Sequence, residues 1–389
     1  MSRRLPLAAA VGVVGAALLL TSCSSGESGE EASATPSQTV SASATSSPSP
    51  TCSPTDVIAE WPREAQVRQL LFAGIWTEGD SDPVGVATAV AAEGIGGLNF
   101  LGNNAGAYAE GELAAAREAA GDIEPFLAVD QEGGRVQRLR DVIGSQPSAR
   151  EMGATMTPAE VQDLARETGE AMVGMELDMD LAPVLGVSDQ PNDTVIGDRA
   201  FSNDPAEVTQ YAGAYADGLR EAGIIPVLKH FPGLGSATGN TDDEPASTPP
   251  LDELRAKDLI PYETLTTDEP VAVMMATAVV PGLTDGEQAG LSPAGVDLLR
   301  QEYGFDGVVM TDSLSGAAVT SDYTLPEAAV LALAAGNDMV LWDSTAEIDD
   351  LITAITAAIG DGTLPEAQIA RSVARVLDLK GYDACAAQG

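Results

Sequence analysis

Short apolar runs alternate along the chain with longer amphipathic segments, from about residue 57 to residue 382. Eight of the runs are short and continuously apolar, as expected of strands buried on both faces: 70–75, 96–101, 125–129, 179–187, 224–228, 271–280, 307–310 and 338–342. Helical periodicity marks the segments 158–175, 205–222, 251–265, 293–303 and 327–335. Three of these helices are predicted to begin where a capping residue precedes a proline, at Thr157-Pro158, Asp204-Pro205 and Ser292-Pro293.

Eight buried strands with helices between them predict one α/β domain, a (β/α)8 barrel of the TIM type, over residues 56–384. A doubly wound open sheet also alternates strands with helices. Such a sheet commonly has a glycine-rich phosphate loop after its first strand, and the sequence shows none there. The strand count of eight therefore favours the barrel.

The N-terminal segment has the composition of an export signal. Arg3 and Arg4 precede an apolar stretch from Leu5 to Leu20, which is shorter than the roughly 20 residues needed to cross a bilayer. Cys23 directly follows Leu-Thr-Ser, which resembles the bacterial lipoprotein box. We expect residues 1–22 to be a lipoprotein signal peptide, with Cys23 lipidated and the protein anchored at the extracytoplasmic face of the cell membrane. An ordinary cleaved signal with an incidental cysteine is the alternative.

Residues 23–55 consist mainly of Ser, Thr, Ala, Gly, Pro and Glu. Such a segment buries too little apolar surface to offset its ordering entropy, so we expect a disordered tether. The remaining cysteines, Cys52 and Cys385, flank the predicted domain. In an exported protein, a disulfide between them is the expected arrangement, and two free thiols are the alternative.

The chain carries a formal net charge of -40. Nucleic acid is therefore not an expected partner, because phosphate binding needs clustered lysine and arginine. Contact with the membrane is expected through the lipid anchor only. The chain has one histidine, and its carboxylates do not group with ligand spacing, so we expect no metal and no cofactor.

Four polar strings fall at or beyond the carboxyl ends of predicted strands, which is where barrels of this type carry their chemistry. They are Asp130-Gln131-Glu132-Gly133-Gly134-Arg135 after the third strand, Gly197-Asp198-Arg199-Ala200-Phe201 beyond the fourth, Lys229-His230 at the end of the fifth and Thr311-Asp312-Ser313 at the end of the seventh. We expect their charged side chains to converge on one rim of the barrel.

In order and spacing, the strings DQEGGRV, GDRAFSNDP, KHFPG and MTDSLSGA resemble glycoside hydrolase family 3. They most resemble its single-domain bacterial β-N-acetylglucosaminidases (β-N-acetylhexosaminidases), which act on cell-wall fragments. The resemblance covers nearly all of the chain after the tether. It implies a retaining exo-glycosidase that releases terminal β-N-acetylglucosamine, with Asp312 as the nucleophile that forms a covalent glycosyl intermediate. Without the other motifs, Asp312 could equally be a cap of the following helix.

The same resemblance implies which residues bind the substrate, a carbohydrate that contains N-acetylglucosamine. Asp130 matches a carboxylate that accepts hydrogen bonds from sugar hydroxyls. Arg199, Lys229 and His230 match the donors that hold the non-reducing sugar. Each hydroxyl of a pyranose is both a donor and an acceptor, so a mixed set of charged side chains suits it.

Three further residues near the rim have other expectations. For Arg135 we expect a structural role, in a buried ion pair with Asp130 that steadies the rim. Trp76 and Trp342 lie near the ends of the first and eighth strands. Stacking on a sugar and packing in the core are both open for these two indoles.

The resemblance fails at the residue that should protonate the leaving group. In this branch of the family an Asp-Ser-His string on the mobile loop after KHFPG has that role, and the aligned positions here are Asn240-Thr241-Asp242. His230 is the sole histidine, so no second histidine can replace the missing one. Asp242 is therefore the candidate acid/base, with its neighbours Asp243 and Glu244 as alternatives.

Three functions are compatible with this substitution. In the first, Asp242 is the acid/base, with a pKa raised by burial or by the nearby charge of Asp312. In the second, the protein is a catalytically impaired lipoprotein that binds a sugar or muropeptide, since losing an acid/base costs about 10²–10⁴-fold in rate. In the third, it hydrolyses only glycosides with good leaving groups. We favour a glycosidase, because a protein that only binds has no need of Asp312.

Overall fold

The computed structural model describes residues 52–78, 82–109 and 111–388. The expected signal peptide, Cys23 and the tether up to residue 51 lie outside the described residues. Within them, eight parallel strands form one sheet: β1 (Leu71–Trp76), β2 (Gly97–Leu101), β3 (Phe126–Val129), β4 (Met179–Asp180), β5 (Ile225–Phe231), β6 (Ala272–Met275), β7 (Val308–Thr311) and β8 (Val340–Trp342).

Each strand pairs with the next one along the chain, and β8 pairs with β1. The remaining gap, between β7 and β8, is closed by a parallel bridge between Met310 and Met339. There the Thr311 hydroxyl also accepts a 3.0 Å hydrogen bond from the backbone N–H of Leu341. The sheet is thus a nearly closed (β/α)8 barrel, as the sequence predicted.

Most of the helices lie between these strands. The α-helices are Pro54–Ala59, Arg63–Gln69, Pro83–Ala91, Ala114–Ala120, Arg140–Ile143, Ala149–Thr155, Pro158–Gly174, Pro205–Glu221, Leu251–Arg255, Tyr262–Leu265, Pro293–Asp297, Ala317–Thr320, Leu325–Ala335, Ile348–Asp361 and Glu366–Leu379. Thr157 and Asp204 cap their helices through their side chains, as predicted. Ser292 occupies the capping position, but its side chain makes no capping hydrogen bond to any described residue.

The predicted helix over 251–265 is wrong, because the chain forms two short helices separated by a turn. Within that turn, Asp258 is buried and its carboxylate accepts hydrogen bonds from the N–H groups of Val187 (3.3 Å) and Gly235 (3.1 Å). Pro261 then restricts the backbone conformation before it. The predicted helix over 293–303 also changes character, since its second half, Leu298–Glu302, is π-helical.

Two predicted strands are shorter than expected. The fourth was predicted over 179–187 but ends at Asp180, since Pro183 has no N–H to donate to a neighbouring strand. Beyond it, the extended chain still contacts β5, where the N–H of Leu185 donates to the carbonyl of Lys229 at 2.6 Å. The sixth strand was predicted over 271–280 but ends at Met275.

The two ends of the barrel domain are joined. A disulfide connects Cys52 to Cys385, and the first helix begins at Pro54, slightly before the predicted domain boundary. That helix packs against the last one, Glu366–Leu379. Among the described helices, none combines the length and apolarity that a membrane span requires.

Candidate active site

The centre of the rim is an ionic cluster of four residues. The Lys229 ammonium lies 2.7 Å from a carboxylate oxygen of Asp130 and 2.6 Å from one of Glu132. Arg199 binds both oxygens of Glu132, through Nε at 2.7 Å and Nη2 at 2.8 Å. The Glu132 carboxylate therefore connects three parts of the chain: strand β5, the segment after β3 and the loop that precedes Pro205.

Charge pairing keeps this cluster ionised despite its burial. Burial alone would raise the pKa of Glu132, but the charges of Arg199 and Lys229 hold it well below its usual range. Burial would likewise lower the pKa of Lys229, and the carboxylates of Asp130 and Glu132 instead keep it above its usual value. The result is a rigid set of charged donors and acceptors at the mouth of the barrel.

The hairpin after β3 fixes the positions of Asp130 and Glu132. Its strands are Gln131–Gly133 and Val136–Gln137. The backbone N–H of Gln131 donates to buried Asp180 at 2.9 Å, and the Gln131 carbonyl accepts a 2.6 Å hydrogen bond from the Tyr215 hydroxyl. These contacts hold the backbone between the two carboxylates.

Asp312 lies beside the cluster, next to His230, the residue that follows Lys229. The nearest atoms, Nε2 of His230 and Oδ2 of Asp312, are 3.8 Å apart, which is too long for a hydrogen bond. Burial, together with the charges of Arg199 and Lys229, lowers the pKa of His230 well below its usual value, so the imidazole is neutral. Its Nδ1 is buried and has no hydrogen-bond partner among the described residues.

The carboxyl group of Asp312 is poorly compensated. It accepts a 2.8 Å hydrogen bond from the N–H of Ser313. Burial and the negative charge of Asp242 raise the pKa of Asp312 to about 7, although Lys229 and Arg199 oppose that rise. A carboxylate in this state is a stronger nucleophile than a fully paired one, because it has little stabilisation to lose in an attack.

The loop that carries Asp242 is attached by its backbone to the segment after Asp312. The carbonyls of Thr241 and Asp242 each accept a 3.0 Å hydrogen bond, from the N–H groups of Ala318 and Ala317 respectively. A Cβ atom at Gly316 would lie 2.8 Å from the Thr241 carbonyl oxygen, so this approach requires glycine. The Asp242 side chain itself is exposed.

The structure also places the other residues considered from sequence. Arg135 pairs with Asp198 at 3.2 Å and not with Asp130, which pairs with Lys229. Arg135 also donates to carbonyls of the loop before Arg199, including that of Val195 at 2.9 Å. It therefore supports the loop that presents Arg199. Trp342 is fully buried in the core, whereas 55% of Trp76 is exposed.

Three residues of the site were missed from the sequence. Glu132 stands inside a recognised string, but only the fold reveals that it binds both Arg199 and Lys229. Arg138, on the segment after the hairpin, has a buried Nε without a partner among the described residues. Asp343, directly after β8, has a pKa raised by burial and by the charges of Asp242 and Asp130. The position of Asp343 at a strand end was the available signal.

The arrangement suits a neutral, polyhydroxylated ring. The fixed charges match hydroxyl groups, and a reactive carboxylate lies beside them. Within the described residues, no group of His, Cys, Asp or Glu side chains is arranged to hold a metal ion. The chemistry that the residues support is nucleophilic attack by a carboxylate, with a second carboxylate on a neighbouring loop.

Comparisons with known proteins agree with this geometry. The glycosyl hydrolase family 3 N-terminal domain matches residues 69–379. The chain is 45% identical over 327 residues to the β-hexosaminidase LpqI of Mycobacterium tuberculosis, covering 82% of this chain and 83% of that protein. The solved structure of M. tuberculosis LpqI superposes with a TM-score of 0.80 at 42% identity, covering 85% of this chain and 97% of that one. The β-N-acetylhexosaminidase of Beutenbergia cavernae gives a TM-score of 0.73 at 31% identity, covering 83% and 99%.

Proposed function

Since this chain belongs to glycosyl hydrolase family 3 and is a glycoside hydrolase, we propose that it is a retaining, exo-acting β-N-acetylglucosaminidase. Its substrates would be cell-wall fragments that end in β-linked N-acetylglucosamine. The names of the hexosaminidase relatives support the sugar. The observation that carries the mechanism is Asp312, a partly buried and poorly paired carboxylate next to a cluster of sugar-binding type.

In the first half of the reaction, Asp312 attacks the anomeric carbon of the terminal sugar. The bond from that carbon to the leaving oxygen breaks, and the leaving oxygen takes a proton from Asp242. In the second half, Asp242 removes a proton from water, whose oxygen displaces Asp312 from the anomeric carbon. Two displacements retain the configuration of the sugar and return both carboxyl groups to their starting states.

The ionic cluster would hold the sugar during both steps. Asp130 accepts from hydroxyl groups, while Lys229, Arg199 and the neutral imidazole of His230 offer donors. Nδ1 of His230 and Nε of Arg138 have no hydrogen-bond partner among the described residues, so hydrogen-bonding capacity remains there. Binding energy from these contacts orients the anomeric carbon towards Asp312.

The first experiment asks whether Asp312 is the nucleophile. A 5-fluoro-β-N-acetylglucosaminyl fluoride should inactivate the enzyme and add one sugar to the peptide that contains Asp312, as read by mass spectrometry. Asp312→Asn should neither turn over an aryl β-N-acetylglucosaminide nor acquire the label. A label on any other residue would refute this assignment.

A second experiment tests Asp242, with Asp243→Asn as the matched control. Asp243 lies next to it on the same loop, and its carboxylate accepts a hydrogen bond from Asn240 at 2.8 Å. We expect Asp242→Asn to lose about 10²–10⁴-fold of its rate on the β-1,4-linked disaccharide of N-acetylglucosamine. Azide should restore turnover of an aryl substrate and yield the β-glycosyl azide. The Asp243→Asn variant should retain the wild-type rate.

The exposure of the Asp242 side chain favours one alternative, a binding lipoprotein with little activity. That alternative predicts tight binding of the disaccharide and no turnover of either substrate by the wild-type protein. Hydrolysis of the aryl substrate alone, unchanged in Asp242→Asn, would instead indicate an enzyme restricted to good leaving groups.

We further propose that the protein is a lipoprotein anchored at the outer face of the cell membrane. The N-terminal sequence around Cys23 supports this. Cys23→Ser should move the protein from the membrane fraction to the soluble exported fraction. Unchanged membrane association of that variant would contradict the anchor.

A further inference from the structure

A large and partly exposed aromatic side chain lies at the mouth of the barrel, away from the ionic cluster. Trp76 is the last residue of β1, so it lies at the carboxyl edge of the sheet, where the active site is. In the part of the chain that the structure describes, it is the only aromatic residue among the exposed large apolar side chains. Exposed indoles at the mouth of a polar pocket are natural contacts for a ligand.

Trp76 is held in place by the segment after β8. Its indole N–H donates a 3.0 Å hydrogen bond to the carbonyl of Asp343. The two strands meet closely here, since a Cβ atom at Gly74 would lie 2.6 Å from the Cα of Asp343. The edge of the indole is thus tied to the backbone, while more than half of the side chain stays accessible.

Asp343 connects this position to the nucleophile. Its backbone N–H donates a 3.0 Å hydrogen bond to the hydroxyl of Ser315, three residues beyond Asp312. Its carboxyl group senses the charges of Asp242 and Asp130 across the mouth. Trp76 and Asp343 therefore lie near the proposed catalytic carboxylates at the mouth of the barrel.

The location of Trp76 and Asp343 indicates which part of the substrate they would contact. The ionic cluster comes from β3, β5 and the loops between them, whereas Trp76 and Asp343 follow β1 and β8, on the other side of the barrel. Lys229 is buried within the cluster, and the proposed function assigns the terminal sugar to that side. The rest of an exo-cleaved chain leaves through the mouth.

We propose that Trp76 and Asp343 form the binding site for the leaving-group sugar. The indole face packs on the apolar face of that pyranose, and the Asp343 carboxylate accepts a hydrogen bond from its hydroxyl or amide N–H. The site makes the enzyme prefer sugar leaving groups over small ones. This inference rests on the proposed function for the identity of the sugar.

The test compares two substrates with the same terminal sugar. The β-1,4-linked disaccharide of N-acetylglucosamine has a leaving-group sugar, and β-N-acetylglucosaminyl fluoride has none. Trp76→Ala should lower the ratio of kcat/KM for the disaccharide to that for the fluoride by about two- to tenfold, the size of one aromatic stacking contact. Val173→Ala, an exposed apolar residue on an outer helix, is the control and should leave the ratio unchanged.

Trp76→Phe separates stacking from a structural role. Phenylalanine keeps an aromatic face but loses the hydrogen bond to Asp343. If stacking matters, the phenylalanine variant should keep most of the wild-type ratio. If only the hydrogen bond matters, it should behave like Trp76→Ala, and the inference is then wrong. Equal losses on both substrates in Trp76→Ala would also overturn it.

A binding experiment makes the test independent of turnover. In the Asp312→Asn background, calorimetry should show that the disaccharide binds more tightly than N-acetylglucosamine, and Trp76→Ala should abolish most of that difference. A wild-type protein that hydrolyses neither substrate would refute the proposed function alone. A preference for the disaccharide that survives Trp76→Ala would refute this leaving-group site alone.

Discussion

The barrel has a buried ionic cluster at each end, and the two differ in how completely their charges are paired. At the amino ends of β7 and β8, the carboxylate of Asp338 is fully buried and accepts from Arg300, Arg375 and the N–H of Val309. At the carboxyl ends, Glu132 is similarly satisfied by Arg199 and Lys229. Next to it, however, stand Asp312 and His230, which are not.

Fully paired charges contribute to stability, whereas the incompletely paired groups at the carboxyl ends are suited to chemistry. At the amino ends of the strands, which we call the lower end, the charges come from the last helix, the π-helical segment and the start of a strand. Their pairing therefore joins the outer layer to the barrel. At the carboxyl ends, which we call the upper end, the paired charges lie next to Asp312 and His230, whose pKa values are shifted. Displaced pKa values are common at functional sites, and here those of Asp312 and His230 stand beside a paired cluster that can hold a ligand. The same residue types thus serve two purposes on one fold.

Replacement of Glu132 should have the largest effect, because Glu132 both pairs two buried cations and positions them as sugar-binding residues. Glu132→Gln leaves two buried cations, Lys229 and Arg199, with one fewer anion. We expect a loss of about 3–5 kcal/mol in the free energy of unfolding and about 10²-fold in kcat/KM through displaced sugar contacts. Urea unfolding and kinetics on an aryl substrate measure the two. Wild-type kinetics in a destabilised variant would make Glu132 purely structural.

Replacement of Asp338 should separate the two ends. Asp338→Asn leaves Arg300 and Arg375 without their shared carboxylate and should cost a similar free energy of unfolding, about 3–5 kcal/mol. Because the lower cluster is remote from the site, KM and kcat should not change. Asp306→Asn is the control, since its largely exposed carboxylate also pairs with Arg375, and exposed pairs contribute about 0–1 kcal/mol. A change in KM for Asp338→Asn would show that the two ends of the barrel are coupled.

These two residues show what sequence can and cannot predict. Strand ends are visible as the limits of apolar runs, so the barrel and the positions of Asp130, Lys229 and Asp312 were accessible from sequence. The partners of Glu132 lie 67 and 97 residues away along the chain, and only folding brings them together. Asp338 ends a helix-to-strand connection, where nothing in the sequence distinguishes a buried carboxylate from a solvated one.

The local failures have a similar origin. The apolar periodicity of 251–265 is helical, but Asp258 turns inward to satisfy two backbone N–H groups, and tertiary contacts outweigh helix propensity. The acid/base is the clearest case. Sequence identifies Asp242 by its place in a loop, and whether its carboxyl group reaches a leaving oxygen depends on a conformation that no local pattern encodes.

The pH dependence of activity should sharpen the contrast at the upper end. Asp312 must be ionised to attack, so kcat/KM on an aryl substrate should rise with pH through about 7. The charge of Asp242 contributes to the raised pKa, so Asp242→Asn should move this acidic limb to lower pH. An unmoved limb would mean that the two carboxylates do not interact.

The raised pKa of Asp312 also makes the stability of the protein depend on pH, in a direction that the shift determines. Between the ordinary pKa of 3.8 and about 7, the folded protein holds a proton at Asp312 that the unfolded chain has released. The contribution of Asp312 to stability therefore falls as pH rises through this window. Asp312→Asn should melt higher than the wild type at pH 8, with a smaller advantage at pH 4. The opposite trend would contradict the raised pKa.

Lys380, at the amino ends of the strands, should have no effect on activity and an effect on stability of the opposite sign. Burial lowers its pKa from 10.5 to about 7. Its ammonium donates to Gln69 at 3.0 Å and lies 5.1 Å from the ring centroid of Phe126. Between pH 7 and 10.5 the unfolded chain holds a proton that the folded protein has lost, so the contribution of Lys380 to stability increases as pH rises.

The melting temperature of the wild type minus that of Lys380→Met should therefore increase between pH 7 and pH 10. Subtracting the variant removes the titration of all other groups. Both proteins should have the same kcat/KM at every pH, because Lys380 lies at the amino ends of the strands, beside Phe126 of β3. If Lys380→Met instead alters the pH profile of activity, the two ends of the barrel are coupled, and the division between a stabilising end and a catalytic end fails.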